Sequence, residues 1–389
     1  HKIIKFPTQI WTLDFSPLTP PSSYHLFERN IMTKIIEHTK LRRVVEAICT
    51  AAGSVGEEPA LVSENLVNAN LMGHDSHGVG MIPRYISCVL TGALQPNAHA
   101  KMVVDSGALV VMDGQAGFGQ VIGGEIMDVG IERAQKHGVA IVATRNSFHL
   151  CRIGAWAERC ARAGFVSMHH TNVVGHGPAV APYGGAEARY STNPYTVGIP
   201  ATDNQPMTIL DMATSVVAMG KVRVARNKGE QVPDGILLDS DGQDTTDPNV
   251  MYQEPKGAVK PFGGHKGGGL ALINELLAGV MSGGQTLRPE TVAGRNTTLN
   301  NMLSIIIDPT KLVEESFFKS EIDATLNYIK ATRPIDPNKP VLIPGDPERL
   351  MRAEREANGV PVDDATWTDI LAAAKSVGLG DNVIEELAS

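Results

Sequence analysis

Cysteine is scarce in this chain of 389 residues, and the little there is forms no pattern. Cys49, Cys88, Cys151 and Cys160 make no CxxC pair and no ladder of short spacings. Neither a zinc knuckle nor a disulfide framework is suggested, and reduced thiols in a cytoplasmic protein are the simpler reading. Long apolar runs are missing as well, since none approaches the roughly 20 residues that span a bilayer. Positive charge is not in excess: 34 Lys and Arg stand against 42 Asp and Glu, a formal net charge of -8. An acidic balance without basic runs argues against nucleic acid or an anionic membrane as partner, while an anionic small molecule stays open.

The standard nucleotide and metal signatures are absent too. Gly117–Gly123 is one residue too long for GxGxxG, and no acidic residue follows at the expected strand end, so a Rossmann fingerprint is unsupported. Gly263–Gly269 lacks the spacing and the Ser/Thr of a phosphate-binding P-loop. It still sets N–H groups and Lys266 at a helix start, which suits an anion. Close packing of a helix on a sheet explains the same glycines equally well. The histidines fit no HExxH spacing, so no metal site is expected.

Residues 1–31 show no helical or strand periodicity and contain the turn cluster Pro17–Pro21. Lys2 and Lys5 imitate a signal n-region, but no apolar h-region follows. We expect Met32 to be the biological start, with a peripheral extension before it. The other reading is an N-terminal arm that packs on a partner subunit.

Periodic sequence begins after Met32. Leu41, Val44, Val45 and Ile48 give one apolar helix face, and a second helix with Pro59 in its first turn ends at Gly73. From Val103 onward, strands and helices alternate: Val139–Thr144 and Phe165–His170 read as strands around a helix at 152–163. Helices return after Asp308, and Asp363 or Asp364 caps the last one identified. The expected class is therefore α/β, with a helical domain assembled from both chain ends (32–112 with 310–389) and an α/β domain at 113–309.

The densest chemical feature is Gly73-His74-Asp75-Ser76-His77-Gly78 at a helix exit. An imidazole with its ordinary pKa near 6.5 gives or takes a proton at neutral pH. Ser76 would bind substrate or fix the tautomer. Histidines that satisfy a helix C-terminus are the competing explanation. Asn146-Ser147-Phe148-His149 and His169-His170-Thr171-Asn172 each follow a predicted strand, where open α/β sheets place their ligands. Ordinary loop hydrogen bonding accounts for either cluster taken alone.

Eight segments in order resemble the malate/L-lactate dehydrogenase family that is unrelated to the Rossmann-type enzymes. They are GHDSHGV (73–79), DGQAGFGQVIGG (113–124), RNSFH (145–149), APYGGAEARYSTNP (181–194), LDMATS (210–215), AMGKV (218–222), GGHKGGGLAL (263–272) and IPGDPE (343–348). The resemblance implies a non-Rossmann NAD(P)-binding fold with a mixed sheet. It also implies a homodimer with active sites near the interface, and hydride transfer between 2-hydroxy and 2-oxo acids, with a small carboxylate as substrate. The cofactor would be NAD or NADP, with a lean to NAD. The family's proton-transfer histidine falls on His77, with Ser76, Gln120 and Asn193 around it. Cofactor contacts would come from Ser147 and His149, from Met168, His169, His170, Thr171, Asn172, Val173 and Val174, from Lys221, and from Gly345, Asp346 and Pro347. Many relatives carry an arginine where this chain has Met81, and Arg84 is expected to clamp the carboxylate instead. Asn193 stands where some cyclic-imine reductases have an aspartate, which disfavours imine reduction. A cyclic imine or diketo-sugar acid as substrate, or a catalytically silent anion-binding relative, are the alternatives.

Overall fold

The computed structural model describes residues 33–389; the expectation placed on residues 1–31 lies outside the described residues. The first element is a short strand, β1 (Thr33–Ile36), followed by α1 (His38–Ala51) and α2 (Glu58–Leu71). Helix α1 buries Leu41, Val44, Val45 and Ile48, the face that their spacing predicts. Two 3-10 turns, Asp75–His77 and Val79–Met81, carry the chain into α3 (Ile82–Leu90).

The middle of the chain alternates as expected. It runs β2 (Lys101–Ser106), β3 (Leu109–Asp113), α4 (Gly119–His137), β4 (Val139–Phe148), α5 (Gly154–Arg162), β5 (Val166–Val174), β6 (Tyr195–Ile199) and β7 (Thr208–Met212). Helix α6 (Met219–Lys228) leads to three two-residue strands, β8 (Leu237–Leu238), β9 (Asp244–Thr245) and β10 (Ala258–Val259). Then come α7 (His265–Met281), α8 (Pro289–Val292) and β11 (Leu299–Ile307). Seven strands form one sheet in the order β2-β3-β4-β11-β5-β6-β7. Only β3 and β4 are parallel; the other five pairings are antiparallel. A Rossmann sheet is mostly parallel. This mixed sheet is a different solution, as the missing fingerprint implies.

The tail adds α9 (Glu315–Lys330), α10 (Asp346–Asn358), β12 (Val360–Asp363), α11 (Asp364–Ser376) and α12 (Asp381–Ala388). Asp363 caps α11 by accepting from the Thr366 N–H. Strand β12 pairs antiparallel with β1, which ties the tail to the start of the fold. Leu41, Ile48 and Leu66 share a core with Trp367, Ile370 and Ile384, so the helical ends do meet. A second core lies between the sheet and helices α4 and α5, built on Ile122, Ile126, Val142, Trp156 and Ile306. A third, smaller core holds Val180, Val222, Leu237 and Val259 together.

The glycines at 263–269 resolve toward packing. Gly267 and Gly268 lie inside α7, and a Cβ on Gly267 would come within 2.2 Å of the Phe262 carbonyl oxygen. Among the described residues no helix is long and apolar enough to cross a membrane, and no cluster of three or more His, Cys, Asp or Glu could hold a metal.

Candidate active site

Helix α2 ends two residues before Gly73, and Asn70 in its last turn organises the loop that follows. Its Nδ2 donates to Asp75 Oδ1 (2.6 Å), and its Oδ1 accepts from the Val79 N–H (2.8 Å). The loop is thereby wound into the 3-10 turn that displays Ser76 and His77. Ser76 Oγ lies 3.0 Å from His77 Nδ1. The His77 ring stacks on His149, with centroids 5.5 Å apart and planes 14° from parallel. His149 Nδ1 is 2.8 Å from Tyr85 Oη, which also accepts from Gln120 Nε2 at 3.0 Å. With the Gln120 amide donating to Oη, the Tyr85 hydroxyl donates its own proton to His149 Nδ1, which accepts. That assignment puts the His149 proton on Nε2.

Two stacked imidazoles under protein cover resist protonation. Burial holds His77 down at about 4, with the charges of His74 and Arg152 acting the same way; Asp211 opposes them and favours the imidazolium. His77 keeps some exposed surface, yet the protein around it is deep enough for desolvation to dominate. His149 falls to about 3 through burial, reinforced by His77 and His176. Burial likewise keeps the Tyr85 phenol well above its usual range, so it is a neutral donor.

Asp211 belongs to a buried ionic group. Its carboxylate accepts from the Gly154 N–H (2.9 Å) and Thr196 Oγ1 (2.8 Å), and lies 3.8 Å from Arg152. Arg152 in turn pairs with Glu158 at 2.5 Å, and Glu158 with Arg162 at 2.9 Å. This group forms one wall of a cavity of about 460 Å³. Met72, Met207, Gly345, Glu348, Arg349 and Arg352 contribute other walls, with Arg42 at the edge. The cavity thus reaches Met72, at the end of α2, and the first turn of α10.

The profile of the malate/L-lactate dehydrogenases matches residues 36–371. The chain belongs to this family. Hydroxycarboxylate dehydrogenase B of Escherichia coli K12 is 45% identical over 346 residues, covering 89% of this chain and 95% of that protein. The L-lactate dehydrogenase of Cupriavidus necator is 37% identical over 344 residues, 88% of this chain and 98% of its own. The solved sulfolactate dehydrogenase of Methanocaldococcus jannaschii superposes with a TM-score of 0.79 at 31% identity, covering 91% of this chain and 99% of that one.

In this member of the family, the expected residues fall into three groups. Ser76, His77 and His149 meet directly, and Gln120 reaches them through Tyr85. Lys221 stands at the start of α6, whose Gly220 packs on the Ser76 side chain. Gly345 lines the cavity, and Pro347 occupies the first turn of α10. Asp346 accepts from the Ile343 N–H and pairs with Arg349 and Lys330.

The rest lie elsewhere. Arg84 donates to Asn296 Oδ1 at 2.9 Å, and its charge reaches His176. Asn193 bonds to Glu275 (2.7 Å) and the Ala271 carbonyl (3.2 Å) on α7, while its Oδ1 is buried without a partner. Ser147 is buried and donates to the Phe148 carbonyl. Met168–Val174 is interior strand, and none of it lines the cavity. His169 has no exposed surface and sits between Ser304 (2.9 Å) and Ser167 (3.0 Å), while His170 bonds to Asn274 and Asn172 to Glu275. Thr171 is buried, as are Val173 and Val174. Tyr85, Arg152 and Asp211 were not singled out by sequence reasoning. Asp211 sits in the LDMATS segment, a signal that was present; the partners that give it meaning are distant in sequence.

Proposed function

We propose that this protein is an NAD(P)-dependent oxidoreductase that interconverts 2-hydroxy acids and 2-oxo acids, with His77 transferring the proton. The observation that carries the reading is a Ser76-tethered, stacked imidazole that feels the charges of Asp211 and Arg152, two residues that line a cavity of about 460 Å³. The relatives named above, which act on hydroxycarboxylates, L-lactate and sulfolactate, support the substrate class.

The arginines of the cavity make it the candidate site for the cofactor's phosphates. A diphosphate needs cations, and Arg42, Arg349 and Arg352 line this cavity beside the N-terminal end of α10, whose dipole favours an anion. The buried Nε of Arg42 has no partner of its own. Gly345, Arg349 and Arg352 would hold the phosphates, while His149 stacks on His77 and Lys221 starts the helix that packs on Ser76. A bound nicotinamide supplies or accepts the hydride.

His77 handles the proton. With its pKa held at about 4 it is neutral at pH 7, and so is a ready base for the hydroxyl proton in oxidation. In reduction it must carry a proton to the forming alkoxide, and the Asp211 charge favours that form. Ser76 fixes the ring through Nδ1, which leaves Nε2 to face the substrate. Arg84 stays the candidate for the substrate carboxylate: it is bonded to a neutral amide, and its charge reaches His176, which in turn acts on His149.

A homodimer is part of the proposal. Support comes from α9, a helix of 16 residues that buries none of them, and from the exposed Leu272, Ile273, Leu276, Val280 and Met281 on α7. We place the protein in the cytoplasm, where its four free, buried cysteines stay reduced. We also keep the functional division into a cofactor-side 113–309 and a helical 32–112 with 310–389.

The test is a screen of 2-oxo acids against NADH and NADPH, following absorbance near 340 nm. His77→Asn should still bind reduced cofactor but lose about 10²–10⁴-fold in turnover. Turnover like the parent's in that variant would remove His77 from the mechanism.

A further inference from the structure

Three consecutive residues of the loop before His77 are held by one face of α10. Gly73 lies so close to Met351 that a Cβ there would come within 3.1 Å of its Cγ. His74 Nε2 is 3.3 Å from Glu348 Oε1. Asp75 receives a two-pronged contact from Arg355, Nη1 to Oδ1 at 2.7 Å and Nη2 to Oδ2 at 3.0 Å. Arg355 also donates to the Asn70 carbonyl, so its guanidinium joins the end of α2 to the loop. Glu348, Met351 and Arg355 follow the i, i+3, i+7 spacing of one helix face.

The same helix also serves the cavity. Gly345, Glu348, Arg349 and Arg352 line it, and Arg352 also donates to Asn68 on α2 (3.3 Å). Arg355 is 8% exposed, which is costly for a cation that does nothing but stabilise. Its carboxylate partner lies two residues from His77, whose own N–H is bonded back to the His74 carbonyl at 2.9 Å. A shift of Asp75 therefore moves the imidazole.

We propose that Arg355, with Glu348, is a positioning residue for His77, and that α10 couples occupancy of the cavity it lines to the placement of the loop it holds. The inference rests on His77 as the proton-transfer residue. Misplacing a catalytic group by about 1 Å costs on the order of 10²-fold in rate, without requiring any loss of binding. Arg355 does not line the cavity, so its effect appears in kcat and in the pH profile rather than in cofactor affinity.

The experiment compares Arg355→Met, Arg355→Lys and Asp75→Asn with the parent and with His77→Asn. Cofactor binding is read from the fluorescence of NADH and NADPH, and turnover from initial rates across pH. Arg355→Met should lower kcat by about 10–100-fold, leave cofactor Kd within about threefold of the parent, and displace the pH limb of kcat. Arg355→Lys should recover part of the rate, since an ammonium restores the charge but not the two-pronged fork. Asp75 is half exposed, so Asp75→Asn provides the test if Arg355→Met does not fold; it should share the displaced pH limb. Combining the two should cost no more than the worse single change. Parent-like kcat and pH profile in a folded clamp variant would overturn the proposal. So would a rate loss with an unmoved pH profile and no rescue by lysine. If His77→Asn itself turns over normally, the dehydrogenase mechanism fails. If it is inactive while the clamp variants match the parent, only the coupling fails.

Discussion

Replacing Asp211 by asparagine separates the two things its carboxylate does. The side chain is 10% exposed and its partner Arg152 is 4% exposed, so both charges are largely removed from water. Breaking a buried pair outright costs about 3–5 kcal/mol. Here Arg152 keeps Glu158 at 2.5 Å, and Asp211 at 3.8 Å is its longer contact, so the ionic part of the loss is smaller. The hydrogen bonds add to it. Gly154 N–H and Thr196 Oγ1 both donate to the carboxylate, and an amide offers only one oxygen. One donor is left facing an NH₂ group, at about 1–3 kcal/mol. The sum is roughly 2–4 kcal/mol, which for a folded unit of this size lowers the Tm by roughly 3–5 °C. The second effect is catalytic. Asp211 is the group that favours the protonated form of His77 against burial, so its neutralisation moves the imidazole further from that form. Reduction of a 2-oxo acid should fall more than oxidation of the 2-hydroxy acid, and its rise toward acid pH should begin lower. Thermal melts and rates in both directions from pH 5 to 9 measure both effects. A Tm within about 1 °C of the parent, together with an unmoved pH profile, would show that Asp211 neither bears on the fold nor tunes His77.

Three further outcomes are expected. Gly220→Ala puts a Cβ within 2.7 Å of Ser76 Cβ, so α6 must lift off the loop; KM should rise several-fold, and an unchanged KM would show that α6 does not bear on the site. Acid should unfold the protein through its buried imidazoles: His77 (about 4), His149 and His169 (each about 3) stay neutral in the fold, while the unfolded chain takes up protons near pH 6.5. That stability is complete above about pH 6.5 and is lost as pH falls toward 4 and then 3. His169, with no exposed surface, alone contributes about 1.4 kcal/mol per pH unit, so denaturation midpoints that are flat from pH 6.5 to 4.5 would contradict the assignment. Phe317→Glu on the exposed face of α9 should halve the mass seen by light scattering if that face is the dimer contact; an unchanged dimer would clear α9 of that role.

What was legible in the sequence is what lies close together in it. The α1 face, the Asp363 cap and the Ser76–His77 pair are all decided within a few residues. The strand-end clusters divided. Asn146–His149 does end its strand, and His149 meets His77. His169 and His170 do not end theirs, because β11, more than a hundred residues later, pairs with the whole of Val166–Val174 and extends it four residues past His170. They are mid-strand, and alternation turns His169 into the interior between Ser167 and Ser304. Nothing local announces that partner strand. The same holds for Asp211 beside Arg152 and for Arg355 on Asp75, 280 positions apart, where each residue alone reads as surface charge.

The one parallel pairing in the sheet shows why the missing glycine fingerprint was informative rather than merely negative. Strands β3 and β4 with α4 between them make the single unit in which a helix N-terminus could meet a phosphate in the Rossmann manner. That N-terminus is closed: a Cβ on Gly119 would come within 2.1 Å of the His149 carbonyl oxygen, so backbone already occupies the space a phosphate would need. The dipole of α4 is turned on the loop that presents His149. A diphosphate then has to be met by another helix start, and α10 offers one that borders an open cavity and carries arginines in its first two turns. Residues 345–352 therefore line the cavity, and Glu348 among them also touches the loop before His77. On the proposed function, the helix that meets the phosphates and the helix that steadies His77 are the same element, a combination that the βαβ design does not require.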